Sequence, residues 1–297
     1  MGAVAVGQTR LRRDFIVVML ALCLGPVSDE GHVVGSSEQL GSWGSGTHVA
    51  DAVLLGGVVR KTAGPWTPAV FALLRHLEQV GFAGAPRVVG DGYSFVPGES
   101  PHPHAWSDEA VSAVGTLLRG LHDATATFTP PGDAVWQANW LRQLGGDDIV
   151  IGHCDPGPWN IVGEHGRPDA FIDWEFAGPV DRLWELAETV WLNAQLADDD
   201  VAEMQGLPDA LTRARHARAI VDGYGLPRAA RDELVDRLAD VAIHNARHEA
   251  VAQGVTIDST AAIADDGYPI LWGITWRARS ASWIARNRNT IRRAMLE

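Results

Sequence analysis

Cysteine is scarce: the 297-residue chain has two, Cys23 and Cys154. They lie far apart, outside any C-x-x-C pattern, so they define neither a zinc signature nor a disulfide framework. Cys154 reads as a small, half-buried residue rather than a nucleophile. Positive charge is also short. Twenty-four Lys and Arg stand against 37 Asp and Glu, a formal net charge of -13, which argues against a general nucleic-acid binder. An acidic surface suits a soluble protein and an acidic cleft suits a cationic substrate; net charge does not separate the two. Long apolar runs are missing as well. The run from Phe15 to Val27 falls short of the roughly 20 residues that span a bilayer. It follows Arg10, Arg12 and Arg13 in the manner of a signal peptide. Asp14 borders it, no clear small-x-small cleavage site follows, and Leu22 before Cys23 is a poor lipoprotein match. An export signal, an N-terminal helix or strand, and an extension outside the fold all remain open for this segment.

What is present is a core. Hydrophobic residues make up 46% of the chain, enough for one large domain or two lobes. Strand and turn signals predict a short strand, a Gly-rich turn, a strand near His48 to Leu55 and another at Val58 to Lys61. A helix follows, with Thr67 as N-cap, Pro68 in its first turn and Val70, Leu73, Leu74 and Leu77 on one face. "PRVVGDGYSFVPGES" reads as two strands around Gly90-Asp91-Gly92. Past Pro101 helix dominates. One helix opens at Ser107 with the stripe Val111, Val114, Leu117, Leu118 and Leu121. More helices run from Asp181 to the end, broken at Gly206-Leu207-Pro208, Gly223 to Pro227 and Gly254 to Gly267. The expectation is a small β-rich lobe and a larger helical lobe with a ligand cleft between them.

The chemistry concentrates in "HCDPGPWN", His153 to Asn160, and in "FIDWE", where Asp173 ends a second apolar run. Pro156, Gly157 and Pro158 make a rigid loop that can hold Asp155 and Asn160 pointing the same way. A carboxylate and an amide carbonyl are hard oxygen donors suited to Mg²⁺, which takes one or two protein carboxylates plus phosphate and water. Asp155 is then free to orient an attacking hydroxyl or take its proton.

His153-x-Asp155-x-x-x-x-Asn160 followed by Asp173 resembles the catalytic loop and metal-binding aspartate of the protein-kinase-like fold. "GPWN" and "IDWEFAGPVDRLWELA" are similar to its aminoglycoside phosphotransferase branch, which also includes choline-type and other small-molecule kinases. "VVRKTAGPWTPAVFALLRHLE", "YSFVPGE", "LLRGLHDA" and "VDGYGLP" extend the resemblance over most of the chain beyond the first thirty or so residues. The resemblance implies an α+β, two-lobed fold. Residues 1–30 would be an N-terminal extension, 31–97 a nucleotide-binding lobe with one helix, and 98–297 a mainly helical catalytic and acceptor-binding lobe.

It also implies roles. Asp155 would be the catalytic base, and Asn160 and Asp173 would hold Mg²⁺. His153, Trp159 and Glu175 would support the loop. Gly44, Ser45 and Gly46, within the turn Gly41 to Thr47, would cover the phosphates of ATP or GTP. Arg60 or Lys61 would bind phosphate, and Ser94, Phe95 and Val96 would form the hinge against adenine. The acceptor would be a hydroxylated small molecule, cationic acceptors included. No nucleic-acid partner and no stable membrane association are expected, and the need for nucleotide implies a cytoplasmic protein.

One departure stands out. The helix after the strand cation carries Val70 and Phe71 where the family has a glutamate, and Glu78 lies about two turns later. That keeps open a pseudo-kinase that binds nucleotide or a partner without chemistry. A metal-dependent hydrolase built on His153, Asp155 and Asp173 would need a denser ligand set than the sequence offers. Trp159, Trp174 and Trp184 read as core anchors. Asp198-Asp199-Asp200 with Glu203 reads more simply as a helix N-terminus than as a polycation site. The arginines from Arg277 to Arg293 read as surface ion-pair partners of the acidic helices.

Overall fold

Two glycines turn a tight hairpin of the sheet. Gly56 and Gly57 have φ of 58° and 78°, the left-handed pair that a two-residue β-turn of matching twist requires. They join β2 (Ala52–Leu55) to β3 (Val58–Arg60) in a computed structural model that describes residues 38–40, 52–264 and 267–297. β1 (Glu38–Leu40), β4 (Val88–Val89) and β5 (Gly92–Ser94) complete an antiparallel sheet of order β1-β2-β3-β5-β4. Residues 1–30 and the turn with Gly44, Ser45 and Gly46 lie outside the described residues.

Helix α1 (Thr67–Gln79) crosses between β3 and β4. Val70, Leu73, Leu74 and Leu77 are fully buried along one stripe, the 3.6-residue period at work. Its start differs from the expectation by one residue. Trp66 holds the cap position without a side-chain bond, while Thr67 is already helical and its Oγ1 accepts from Gly64 N at 2.9 Å. Helix α2 (Val111–Thr125) begins later than Ser107. Ser107 Oγ accepts from Ala110 N at 3.2 Å and its carbonyl accepts from Val111 N at 3.0 Å. Those bonds make residues 107–110 a lead-in turn.

The larger part is helical: α3 (Arg182–Asn193), α4 (Asp199–Gln205), α5 (Ala210–Tyr224), α6 (Arg231–Ala252) and α7 (Ile270–Leu296). Helices α2 and α5 touch backbone to backbone. A Cβ at Gly115 would collide with Ile220 O, and one at Gly223 with Ser112 O. Two short two-stranded sheets interrupt the helices: β6 (Ile149–Gly152) with β9 (Gly178–Asp181), and, between them in the chain, the hairpin β7 (Ile161–Val162) with β8 (Ala170–Phe171). Glu99 bridges to Gly163, and Phe171 N donates to Gly84 O at 3.0 Å. These bonds tie the β7–β8 hairpin to the sheet half.

The acidic stretch caps α4. Asp198 is its N-cap and also meets Arg279 at 2.8 Å and Arg286 at 2.7 Å. Arg292 reaches Asp232 and Asp236. Arg277 breaks the expectation of surface pairing: it is 5% exposed and pairs with Glu249 at 3.4 Å in the interior. Among the described residues no helix is long and apolar enough to cross a membrane.

Candidate active site

The loop after β6 is built on a buried hydrogen-bond chain. A Cβ at Gly152 would strike the Glu185 carboxylate, so glycine lets the strand end approach α3. Glu185 Oε1 accepts from Cys154 N at 2.7 Å. Its Oε2 is 2.7 Å from His122 Nε2, whose Nδ1 is 2.7 Å from the Tyr224 hydroxyl. The imidazole thus links the carboxylate to the Tyr224 hydroxyl. Burial pushes the pKa of Glu185 up, but the bonds from His122 and Cys154 outweigh it and leave the pKa below the ordinary range. From the other side Asn139 Nδ2 donates to Cys154 O at 2.9 Å. Cys154 itself sits at φ 61°, and these two bonds hold it in that left-handed backbone. Burial raises its thiol pKa, which fits an inert side chain.

His153 is fully buried. Its Nε2 donates to Ile172 O at 2.8 Å, and its ring packs on Phe171 and Trp174. It therefore pins one strand mouth to the other. Pro156 O accepts from Asn193 Nδ2 at 2.8 Å, and Asn193 Oδ1 accepts from Trp106 Nε1 at 3.0 Å. The turn Pro158–Asn160 then brings Asn160 back onto Asp155: Asn160 Nδ2 donates to Asp155 O at 3.0 Å and to Asp155 Oδ2 at 2.8 Å. Trp159 stands edge-on to His102. Trp159 and Trp174 are buried, while Trp184 is half-buried under Arg237.

Asp173 arrives from β8. Ile172 N donates to Asn160 O at 2.9 Å, which sets Asp173 beside the loop. Its backbone is left-handed, φ 61° and ψ 68°, a strain of about 1 kcal/mol or more for a non-glycine residue. Burial and then the charge of Asp173 push the Asp155 pKa up to about 7, against the pull of Asn160 and Trp159. A carboxylate with such a pKa can exchange a proton near neutrality.

The two candidate cations separate cleanly. Arg60 turns outward to Asp91 at 3.0 Å, so it does not reach the loop. Lys61 turns inward: its Nζ is 2.6 Å from Asp173 Oδ1 and 3.6 Å from Glu175 Oε1. Lys61 is the chain's single lysine among 24 basic residues. That was a readable signal, because an ammonium is a compact point charge suited to phosphate whereas arginine dominates planar ion pairing. Glu78 is engaged elsewhere, 3.8 Å from Arg87. The carboxylates at Lys61 thus come from the Asp173 turn and not from α1.

Of the three expected hinge residues, two have their amides engaged in the sheet. Ser94 N donates to Arg87 O at 2.7 Å and Phe95 N to Gly57 O at 2.9 Å. Both amides are engaged inside the sheet, which leaves Val96 as the amide of the three that can read a base.

Asn160 and Asp173 fit a magnesium ion. The Asn160 amide nitrogen is committed to Asp155, so its carbonyl oxygen is the atom left for a cation, and Asp173 adds a carboxylate. One amide and one carboxylate are what magnesium takes from protein when phosphate and water supply the rest. No group of three His, Cys, Asp or Glu that could hold a metal occurs among the described residues.

Sequence reasoning passed over Glu185 and Glu188. Both lie in "WELAE" on an otherwise apolar helix, and two carboxylates one turn apart on a buried face were the available signal.

Comparison with known proteins agrees with this geometry. Residues 130–234 match the model of the phosphotransferase enzyme family. A trifolitoxin immunity protein of Rhizobium leguminosarum bv. trifolii is 49% identical over 248 residues, 81% of this chain and 93% of that protein. A choline/ethanolamine kinase family protein from Mesorhizobium loti superposes with a TM-score of 0.55 at 16% identity, over 95% of this chain and 99% of that one. Aminoglycoside 2'-phosphotransferase-IIIa, solved with GDP, gives 0.51 at 13% identity, over 94% and 98%. The chain belongs to the phosphotransferase enzyme family, together with its trifolitoxin immunity relative, and has the two-lobed protein-kinase-like fold.

Proposed function

We propose that the protein transfers the γ-phosphoryl group of ATP or GTP to a hydroxyl of a small molecule, with magnesium, in the cytoplasm. The observation that carries this reading is the meeting of Lys61 with Asp173 beside an Asp155 held by Asn160. Residues 31–97 take the nucleotide, with Val96 against the base and Lys61 at the phosphates. Residues 98–297 take the acceptor. Asp155 orients the acceptor hydroxyl and receives its proton. Asn160 and Asp173 hold the metal, which when bound neutralises phosphate charge. His153, Trp159 and Glu185 keep the loop rigid, so positioning and preorganised charge supply most of the rate.

The immunity relative adds a biological setting. A protein that confers immunity can act by modifying the toxin, and a phosphate adds about two negative charges to its target. The acceptor proposed here is accordingly a toxic hydroxylated compound.

The test is a phosphoryl-transfer screen with labelled ATP and GTP against hydroxylated amines, sugars, antibiotics and toxin preparations, with Asp155→Asn in parallel. Transfer by the wild type that Asp155→Asn loses supports the reading. Nucleotide stabilisation with no transfer to any acceptor would instead favour a pseudo-kinase, the reading that the missing α1 glutamate motivates.

A further inference from the structure

A cleft of ≈ 580 Å³ opens where α2, α3, α5 and α6 meet, within the size range of small-molecule sites. Lys61, Asp155, Asn160 and Asp173 are not among the residues that line it, so it is separate from the site described above. Leu183, Leu186, Leu226 and Tyr224 supply apolar and aromatic surface. Three ion pairs share the lining: Arg119 with Asp123 at 2.8 Å, Arg182 with Asp148 at 3.1 Å, and Arg237 with Glu233 at 2.6 Å. The carboxylate of each pair is more than half exposed. Asp181 is committed as the α3 cap and to Arg237, and Asp147 adds one more charge.

Exposed pairs of this kind contribute little to stability and exchange partners at small cost. A simple cation would take a carboxylate and strand its arginine, and a simple anion would do the reverse. A zwitterion replaces both partners at once, its carboxylate meeting a guanidinium fork and its ammonium meeting an Asp or Glu. The leucines leave an apolar side chain something to cover, which adds affinity in proportion to the area buried. The chemistry that fits is an amino acid or short peptide with free ends.

The cleft also touches the support of the catalytic loop. The Tyr224 hydroxyl is 2.7 Å from His122 Nδ1, His122 Nε2 is 2.7 Å from Glu185 Oε2, and Glu185 Oε1 accepts from Cys154 N at 2.7 Å, next to Asp155. Asp148 directly precedes β6, whose far end opens the loop. Arg119 lies 5.7 Å from the centre of the Tyr224 ring. A ligand that rearranges Arg119 and Arg182 therefore bears on Tyr224 and on the start of β6 together.

We propose that this cleft is an effector site for a small zwitterion, an amino acid or short peptide with an apolar side chain, and that its occupancy changes the catalytic loop through Tyr224, His122 and Glu185. The consequence for transfer rests on the phosphotransferase reading; the binding does not.

The full chain is titrated calorimetrically with leucine, Leu-Leu, N-acetyl-leucine and leucinamide. Hydrogen exchange over residues 150–160 is followed by mass spectrometry with and without each, and phosphoryl transfer is read in parallel. Leucine or Leu-Leu is expected to bind at least about tenfold more tightly than the two capped forms, and the stronger of the two tells an amino-acid source from a peptide source. Arg119→Gln and Glu233→Gln are each expected to weaken that binding by about tenfold and to leave magnesium-nucleotide affinity within about twofold of wild type. In wild type the zwitterion is expected to change exchange in the loop by about fivefold, and Tyr224→Phe is expected to bind it but to lose that response. Equal binding of free and capped leucines, no binding of any, or binding untouched by both rim variants overturns the site. Binding that leaves exchange in the wild-type loop unchanged, or changes it equally in Tyr224→Phe, overturns the coupling. An exchange response without transfer to any acceptor sinks the phosphotransferase reading and leaves the effector site standing.

Discussion

Glu185 and Glu188 share one buried face of α3, one turn apart, yet only Glu185 has partners for both oxygens. The difference comes from what packs against each turn. Glu185 meets the start of the catalytic loop and His122. Glu188 meets Asp155 and an Arg277 already paired with Glu249. One carboxylate is structural, and the Oε2 of the other has no hydrogen-bond partner among the described residues.

The two should respond to pH with opposite signs. Glu185 has a depressed folded pKa, so its contribution to stability is present above the unfolded carboxylate value and disappears as pH falls through the folded one. Glu188 has a raised folded pKa. It costs stability above the unfolded value, and protonation relieves that cost. Urea melts of Glu185→Gln and Glu188→Gln between pH 4 and 8 check this. Glu185→Gln should lose about 3 kcal/mol at neutral pH, a broken buried pair, and less at acid pH. Glu188→Gln should be neutral or stabilising at neutral pH.

Asp155→Asn should keep magnesium-nucleotide affinity near wild type while transfer falls by about 10² to 10⁴, the range of a positioned general base. Asp173→Ala should weaken magnesium-dependent nucleotide binding itself. Calorimetry with and without magnesium, beside single-turnover transfer, separates the two effects. Equal losses of nucleotide affinity in both variants would contradict the division of roles.

Because Lys61 is the single lysine, an amine-acylating reagent has one side-chain target in the chain. Peptide mapping should find it modified, and ATP with magnesium should protect it. Lys61→Ala should raise the nucleotide KM, whereas Arg60→Ala, on the outward face with Asp91, should leave it within about twofold of wild type.

Glu175 stands 3.6 Å from Lys61, where the family's helix glutamate has no counterpart on α1. Glu175→Gln should therefore impair nucleotide use by roughly tenfold, and Glu78→Gln, whose partner is the surface Arg87, should not. Steady-state kinetics against varied ATP compare the two directly; an equal effect would show that Glu175 does not position the lysine.

Much of the loop was legible. The spacing of Asp155, Asn160 and Asp173 needs only local chain geometry, since Pro156 and Pro158 leave few conformations and each run of apolar residues ends in a short strand. Periodicity located α1 and its stripe for the same local reason. Legibility failed where side-chain direction depends on tertiary neighbours. Arg60 and Lys61 are adjacent, and alternation along a strand says that they point to opposite faces without saying which face is inside. Ser94 and Phe95 looked like hinge donors until the sheet engaged their amides.

The amino-acid order alone pointed to the family, singled out Asp155, Asn160 and Asp173 as candidates, and marked the succession of strands and helices, because these follow from spacing, turn chemistry and apolar period. Only the packed chain decided that Lys61 faces inward, that Arg277 is buried, and that Glu188 Oε2 lies buried without a hydrogen-bond partner among the described residues. Those outcomes depend on which surfaces meet across long sequence separations, and electrostatic pairing in an interior is fixed by that meeting rather than by any one segment.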